Sequence, residues 1–297
     1  MKSLALTLAL LVPGLAQAAS PQETYLAARD KAVTELSAAT SNGTGEEPAY
    51  KKAVADLKDQ LSAMVGAVTV KGISTSVKLN ADTLYKDDQG FGALDGLIYA
   101  SSDEKTSMVV TTQALLQHWL VEHKTWYGEK SADLPQTAEE AAKVDIFYTQ
   151  AFQTDAAFVL YGTLPVAKPA GADFAIAQLA SRTQSEAPDK PDELLVAVAQ
   201  GGRFYVIDAP LAAAMAKNPA CGKVRAAAHA KAEKLRKAYE ASDPKDEKIF
   251  DQSTAAEEEG DQAYARCYAE KAKAQPAFTK ILGQAQDLVA QIGRAHV

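Results

Sequence analysis

The segment His118-Trp-Leu-Val-Glu-His123 contains side chains that bind metals or transfer protons, namely His118, Glu122 and His123. Metalloprotease helices separate their two histidines by four residues, so that both imidazoles reach one ion. Here the separation is five residues, which turns the two rings roughly 140° apart around an α-helix. The segment therefore predicts no metal site. We interpret His123 as a core residue and select His118, Glu122 and Trp126 as candidate ligand-binding residues.

Aromatic residues lie on the same predicted helix. Trp119, Trp126 and Tyr127 belong to one apolar helical face, with Trp126 and Tyr127 seven and eight residues after Trp119, and could line a groove for a sugar or a peptide. Aromatic residues in this arrangement are more often part of a hydrophobic core. Both interpretations stay open at this stage, with Trp126 expected to lie nearer the surface than Trp119.

Motifs for other kinds of catalysis are missing from the sequence. There is no G-x-S-x-G nucleophile elbow, no Walker run, and Gly90-Phe91-Gly92 lacks the third glycine of a dinucleotide-binding turn. Asp95 could be a catalytic carboxylate, but its place at a strand start is more typical of a turn residue. We therefore predict no catalytic residue and no cofactor.

The two cysteines, Cys221 and Cys267, permit a single intramolecular pairing. A disulfide that closes the loop between Cys221 and Cys267 would stabilise the fold by about 4 kcal/mol in the chain-entropy model. The alternative is a redox-active thiol, but the C-x-x-C spacing typical of such sites does not occur. We predict a disulfide and hence an oxidising compartment.

Residues 1–18 have the pattern of a cleaved secretory signal. Lys2 precedes the apolar run Leu4–Leu15, and Ala16-Gln17-Ala18 forms an A-x-A cleavage site. We expect cleavage after Ala18 and a soluble periplasmic or secreted bacterial protein with no transmembrane segment in the mature chain. The formal net charge of −7 makes nucleic acid a poor candidate partner.

The last six residues, 292–297, read Ile-Gly-Arg-Ala-His-Val. A common short-read sequencing adapter translates to this peptide followed by a stop codon. We therefore predict that residues 292–297 are an assembly artefact and that the natural C-terminal sequence is missing. Recovering these codons from the genomic locus would contradict this prediction.

The segment Leu194–Ile207 is expected to form the centre of the fold. Two runs of branched and aromatic residues flank Gly201-Gly202, a pair that tolerates the positive φ angles of a two-residue hairpin turn. Both arms are apolar over most of their length, which indicates strands covered on both faces. Pro191 and Pro210 mark the ends of the hairpin.

The remaining patterns predict a single α+β domain over 19–291, with a helical part (19–66), a sheet-containing part (67–210) and a second helical part (211–291). We expect a mainly antiparallel sheet of five to seven strands, covered by an N-terminal helical hairpin and a C-terminal helical layer. The predicted helices are 21–39, 48–64, one from Thr112, one from the capping box at Thr137, 223–239 and 254–289 with a break at Pro276; the predicted strands include 70–79, 94–100, 107–111 and 158–164.

Two functional hypotheses follow. The first is an exported, non-catalytic envelope protein that binds a partner protein, a peptide or a glycan. The second is a periplasmic hydrolase whose acid–base pair is assembled from distant residues. A deep cleft with two carboxylates, or His118 beside a carboxylate, would favour the hydrolase.

Overall fold

The computed structural model describes residues 19–37, 48–73, 76–79, 94–127, 135–154, 157–183, 190–211, 215–242 and 244–294. The signal sequence predicted at 1–18 lies outside these ranges. The described residues form eight helices and seven strands: α1 (Pro21–Ser37), α2 (Pro48–Val65), β1 (Ser76–Leu79), β2 (Leu97–Ala100), β3 (Ser107–Thr112), α3 (Gln113–Tyr127), α4 (Ala138–Ala141), α5 (Asp145–Phe152), β4 (Ala157–Leu164), β5 (Ala172–Thr183), β6 (Glu193–Gln200), β7 (Arg203–Pro210), α6 (Pro219–Ala241), α7 (Glu247–Ala272) and α8 (Phe278–Arg294).

All seven strands join one antiparallel sheet in the order β1-β2-β3-β7-β6-β5-β4. The predicted hairpin, β6 and β7, lies near its centre. Gly201 and Gly202 have φ angles of 60° and 76°, as a type I′ turn requires at both central positions. Gln200 faces Arg203 across this turn. The α+β class and the expected strand number are thus confirmed.

Both faces of the sheet are buried, which explains why the central strands are apolar without alternation. Val196 and Ile207 belong to a core that also contains residues of α1, α2, α7 and α8. Leu195 and Val206 belong to a second core, with residues of α3, α4 and α5. The helical ends of the chain therefore cover one face of the sheet, and the helices between β3 and β4 cover the other.

The helices α6 and α7 form a closely packed pair. Cys221 and Cys267 are joined by a disulfide with an S–S distance of 2.02 Å and a Cα–Cα distance of 5.6 Å, which confirms the predicted pairing. A Cβ added to Gly260 would lie 2.4 Å from the Cβ of Ala228, so a side chain at position 260 would force the helices apart. Pro276 separates α7 from α8, as the sequence predicted.

Three predicted elements differ from the structure. The helix predicted from 254 begins earlier, at Glu247 of α7. The strand expected over 70–79 is shorter: β1 covers Ser76–Leu79, and Val70 pairs with Ile73 in an isolated bridge. The helix predicted from the Thr137 capping box is two short helices, α4 and α5. The capping box itself is present, but α4 ends after one turn.

The helix α8 continues to Arg294, and Ile292 is fully buried. Ile292 lies three residues after the buried Val289 and so extends the apolar stripe of α8. The helix predicted to end at 289 therefore continues through residues 290–294. The origin of these codons and the single-domain assignment stay predictions. No helix in the described ranges combines the length and the apolarity needed to cross a membrane.

Candidate functional site

The structure brings two of the predicted site residues together. Thr112 caps α3 by accepting a hydrogen bond from the Leu115 N–H at 3.2 Å. His118 and Glu122 follow on the next two turns of this helix. His118 Nε2 is 3.1 Å from Glu122 Oε1, with side chains 36% and 30% exposed. The contact lacks hydrogen-bond geometry, and His118 Nε2 is buried without a hydrogen-bond partner among the described residues. The two side chains carry opposite charges only when His118 is protonated.

Glu122 also belongs to a cluster of charged and polar groups that is otherwise buried. We call Tyr25, Arg29, Asp95 and Glu122 the N-terminal ion cluster. Arg29 donates to Asp95 Oδ2 at 2.5 Å and to Glu122 Oε1 at 3.3 Å. The Tyr25 hydroxyl donates to Asp95 Oδ1 at 3.0 Å. Asp95 is 1% exposed, so its interpretation as a turn residue is wrong: it is a buried partner that joins α1 to the residues before β2.

Burial dominates the electrostatics of the N-terminal ion cluster. It raises the pKa of Asp95, while Arg29 and the Tyr25 hydroxyl oppose this shift by stabilising the carboxylate. Burial, and then the charge of Asp95, raise the pKa of Tyr25 far above its ordinary value, so this hydroxyl stays a donor. Both carboxylate oxygens of Asp95 therefore have donors. This arrangement anchors α1 to the sheet and to α3.

Trp119 is the aromatic residue of α3 whose side chain the structure describes, and it packs into the core. Trp119 is 2% exposed and makes an edge contact with Phe147 at a centroid distance of 5.8 Å, which confirms a core role. The side chains of His123, Trp126 and Tyr127 lie outside the described residues. The selection of Trp126 as a binding residue and the core interpretation of His123 therefore stay predictions.

A second cluster lies at one end of the sheet and was not predicted; we call Glu193 and Asp208 the carboxyl pair. Arg182, at the end of β5, donates to Asp208 Oδ2 on β7. Glu193 pairs with Pro210, and Leu195 pairs with Asp208. Glu193 and Asp208 are thus diagonal neighbours on one face of the sheet, within reach of each other's side chains.

Burial raises the pKa of both members of the carboxyl pair, and repulsion by Asp208 raises that of Glu193 further. For Glu193, burial comes first and the neighbouring Asp208 second; together they raise its pKa to about 8 against the opposing effect of Arg182. Burial also raises the pKa of Asp208, while Arg182 opposes the shift. Asp208 Oδ1 is buried with no donor among the described residues. A proton on Glu193 would supply that donor, so at neutral pH the pair can act as one acid and one base.

The sequence held a usable signal for this pair. A two-residue turn at Gly201-Gly202 fixes the pairing of Gln200 with Arg203, and counting back along both arms makes Glu193 and Asp208 diagonal partners. They flank the apolar run Leu194–Ile207 on which the prediction concentrated. The contribution of Arg182 could not be counted in this way, because its register depends on β5.

A groove runs beside β4, the strand that ends the sheet in the described part of the chain. Its volume is about 600 Å³, within the usual range for ligand sites. We call it the β4 groove: its floor is Phe158–Gly162, one wall is Lys143–Asp145 between α4 and α5, and the other wall is α7 from Glu258 to Ala269.

The β4 groove presents backbone and charged groups rather than aromatic faces. Phe158 and Tyr161 are fully buried, so their rings pack inward. The pairing with β5 shifts between Leu160 and Gly162, and Gly162 has a φ of 146°. A Cβ at Gly162 would lie 2.6 Å from the Cβ of Ala269, so this glycine lets α7 approach the bulged strand.

The α6–α7 pair contains a further polar network. Asp261 accepts hydrogen bonds from Arg225 Nε at 2.6 Å and contacts His229 Nε2 at 2.9 Å. Arg236 donates to Glu257 at 2.8 Å. Both arginines of α6 thus pair with carboxylates of α7, and Val224 is exposed. In the described ranges, no group of three or more His, Cys, Asp or Glu residues could hold a metal ion.

Comparisons with protein-family models, with curated proteins and with solved structures found no match to this chain. We therefore infer the function from the geometry of these sites alone.

Proposed function

We propose that this protein is an exported, non-catalytic binding protein of the bacterial cell envelope, and that the β4 groove binds a segment of a partner protein. The observation that carries the proposal is the groove itself: a cavity of about 600 Å³ along the outer edge of a sheet. An edge strand can accept a further strand, whose main-chain hydrogen bonds supply affinity. The proposal therefore favours an extended polypeptide over a glycan. The rings of Phe158 and Tyr161 face the core and are not exposed for a sugar to stack on.

The proposed compartment is the periplasm or the exterior. The disulfide between Cys221 and Cys267 fits an oxidising environment, and the predicted signal at 1–18 would deliver the chain there. Intact mass of the native protein tests both points. We expect a chain that begins at Ala19 and is two hydrogens lighter before reduction; a retained leader or two free thiols would contradict the proposed compartment.

Photo-crosslinking in cells tests the proposed binding. A photoreactive residue replaces Gln262, an exposed residue of the groove wall, or Gln252, an exposed residue of α7 outside the groove. We expect a discrete protein adduct from position 262 and none from position 252. Failure to form an adduct at position 262 would exclude the proposed site.

A filled groove provides the matched control. Ala265 lines the groove, whereas Ala255 lies exposed elsewhere on the same helix. Ala265→Arg should abolish the adduct at position 262, because the long side chain occupies the space beside β4. Ala255→Arg adds the same charge and should leave the adduct unchanged. Equal adduct from both variants would show that the adduct does not report binding in the groove.

The alternative function is a periplasmic hydrolase that uses the carboxyl pair. A protonated Glu193 beside an ionised Asp208 has the composition of an acid–base pair. We rank it second because Arg182 occupies Asp208 Oδ2 and the Asp208 side chain is only 4% exposed. Hydrolysis of envelope peptides or glycan strands that is lost in Glu193→Gln, in a variant that still folds, would favour the alternative.

A further inference from the structure

One side chain connects the carboxyl pair to the β4 groove. Arg182 donates to Asp208, and its guanidinium carbon lies 5.2 Å from the centroid of the Phe158 ring. Phe158 faces Arg182 across the β4–β5 ladder and forms part of the groove floor. A cation over an aromatic ring is attracted by the electrons of its face. Any shift of Arg182 therefore changes a contact in the groove floor.

The charges around the carboxyl pair are unbalanced. Arg182 faces the pair from β5, Glu193 from β6 and Asp208 from β7, and Asp192 acts from the residue before β6. With every group ionised, one positive charge would face three carboxylates. Adjacent carboxylates, of which Asp208 is buried and Glu193 half-buried, resist ionising together because each raises the cost of charging the other.

A geometric observation also favours a proton in this cluster. Asp208 Oδ1 is buried and has no hydrogen-bond donor among the described residues, and an unmet acceptor of this kind is costly. Protonated Glu193 supplies the missing donor and removes one negative charge. The same proton thus satisfies both the hydrogen bonding and the charge of the pair.

We propose that Glu193 and Asp208 form a proton-operated latch that regulates the β4 groove through Arg182 and Phe158. The regulatory role rests on the function proposed for that groove. With one shared proton, Arg182 balances a single carboxylate and remains over Phe158. Loss of the proton creates a second carboxylate beside Arg182, and Coulomb attraction draws the guanidinium towards the pair and away from the ring.

A pH titration of the intact mature protein followed by NMR tests the latch without any partner. The Glu193 carboxyl carbon should titrate with a midpoint near 8, the value to which burial and Asp208 raise its pKa. The ring resonances of Phe158 should shift with the same midpoint. The latch is excluded if Glu193 titrates near its ordinary value of 4.5, or if Phe158 does not follow Glu193.

Two variants separate the latch from a general effect of charge. Glu193→Gln keeps a hydrogen-bond donor for Asp208 and cannot ionise, so the Phe158 shift near pH 8 should disappear. Glu258→Gln removes an exposed carboxylate of α7 from the groove wall, and it should leave the Phe158 midpoint unchanged. A loss of the Phe158 shift in Glu258→Gln, or its persistence in Glu193→Gln, would overturn the proposal.

A third variant covers the case in which Glu193→Gln does not fold. In Asp208→Asn the repulsion from a neighbouring carboxylate is gone, so the Glu193 midpoint should move from about 8 towards 4.5, and Phe158 should move with it. Failure of the latch is distinguishable from failure of the proposed function. Absence of a crosslinked partner leaves this titration intact, and a flat Phe158 titration leaves the crosslinking result intact.

Discussion

The N-terminal ion cluster and the carboxyl pair both place an arginine against a nearly fully buried aspartate, but they satisfy the aspartate differently. Asp95 receives Arg29 on one oxygen and Tyr25 on the other. Asp208 receives Arg182 on one oxygen and has no donor on the other among the described residues. The first cluster is complete as built. The second is complete only when it holds a proton, so we expect it to respond to pH near neutrality.

The arginines also differ in exposure. The side chain of Arg29 is 8% exposed and that of Arg182 is 41% exposed. Removing a buried partner leaves an isolated charge in a medium that solvates it poorly, whereas a half-exposed partner can be replaced by water. The comparison therefore predicts unequal costs for removing the two arginines.

The largest effect is expected from Arg29→Met. Asp95 would remain buried without its cation, which should lower the free energy of unfolding by about 3–5 kcal/mol. Urea denaturation at neutral pH measures this change. Asp30→Asn is the control, because Asp30 also contacts Arg29 but is 62% exposed; its cost should be below about 1 kcal/mol. Similar costs for both variants would show that the cluster does not anchor α1.

A smaller loss is expected from Arg182→Met, about 1–2 kcal/mol in the same assay, intermediate between a surface pair and a buried pair. The carboxyl pair can compensate by holding its proton more tightly. The Glu193 midpoint should therefore rise in Arg182→Met. If this variant is as unstable as Arg29→Met, the proposed difference between the clusters is wrong.

The pH dependence of stability should distinguish the clusters next. Glu193 has a folded-state pKa of about 8 against an ordinary 4.5, so the folded state binds more protons than the unfolded state between these values. Its contribution to stability is complete below the unfolded pKa and is lost as pH rises through the folded pKa. Near the upper value, Glu193→Gln should be more stable than the parent by about 1 kcal/mol, after allowance for solvent exposure.

Unfolding curves at a series of pH values measure this effect. The parent should lose stability as pH rises over the interval between the two pKa values, and Glu193→Gln should lose less. Glu258→Gln should follow the parent, since its carboxylate is exposed on α7. Parallel pH profiles for the parent and Glu193→Gln would place the titrating group elsewhere.

The smallest effect is expected from His118→Gln, within about 0.5 kcal/mol of the parent. His118 is partly exposed, and its contact with Glu122 lacks hydrogen-bond geometry. Denaturation measures the stability, and the adduct at position 262 should be unchanged because the β4 groove is lined by other residues. Loss of the adduct would instead support His118 as a binding residue.

Much of the fold followed from local patterns. The apolar arms around Gly201-Gly202 predicted the central hairpin, and Pro276 predicted the break between α7 and α8. The capping box at Thr137 is present, but its helix is shorter than expected. Periodicity identified these elements because each depends on residues close in sequence.

The sites were less predictable because they depend on long-range contacts. His118 and Glu122 were selected together because they lie on one helix. Glu122 also contacts Arg29 of α1, which lies 93 residues earlier in the chain. Asp95 was interpreted as a turn residue because nothing near it in sequence reveals Arg29 or Tyr25. The β4 groove could not be predicted, since it requires the strand order that places β4 at the end of the sheet.

The position of the disulfide also bears on the order of events during folding. The seven described strands end at Pro210, and both cysteines follow it. A chain synthesised from its N-terminus presents the entire sheet before either thiol, so formation of the sheet does not wait for oxidation. Oxidation is then a closing step that fixes α6 against α7. Mild reduction should loosen this helical pair first and leave the strands in place.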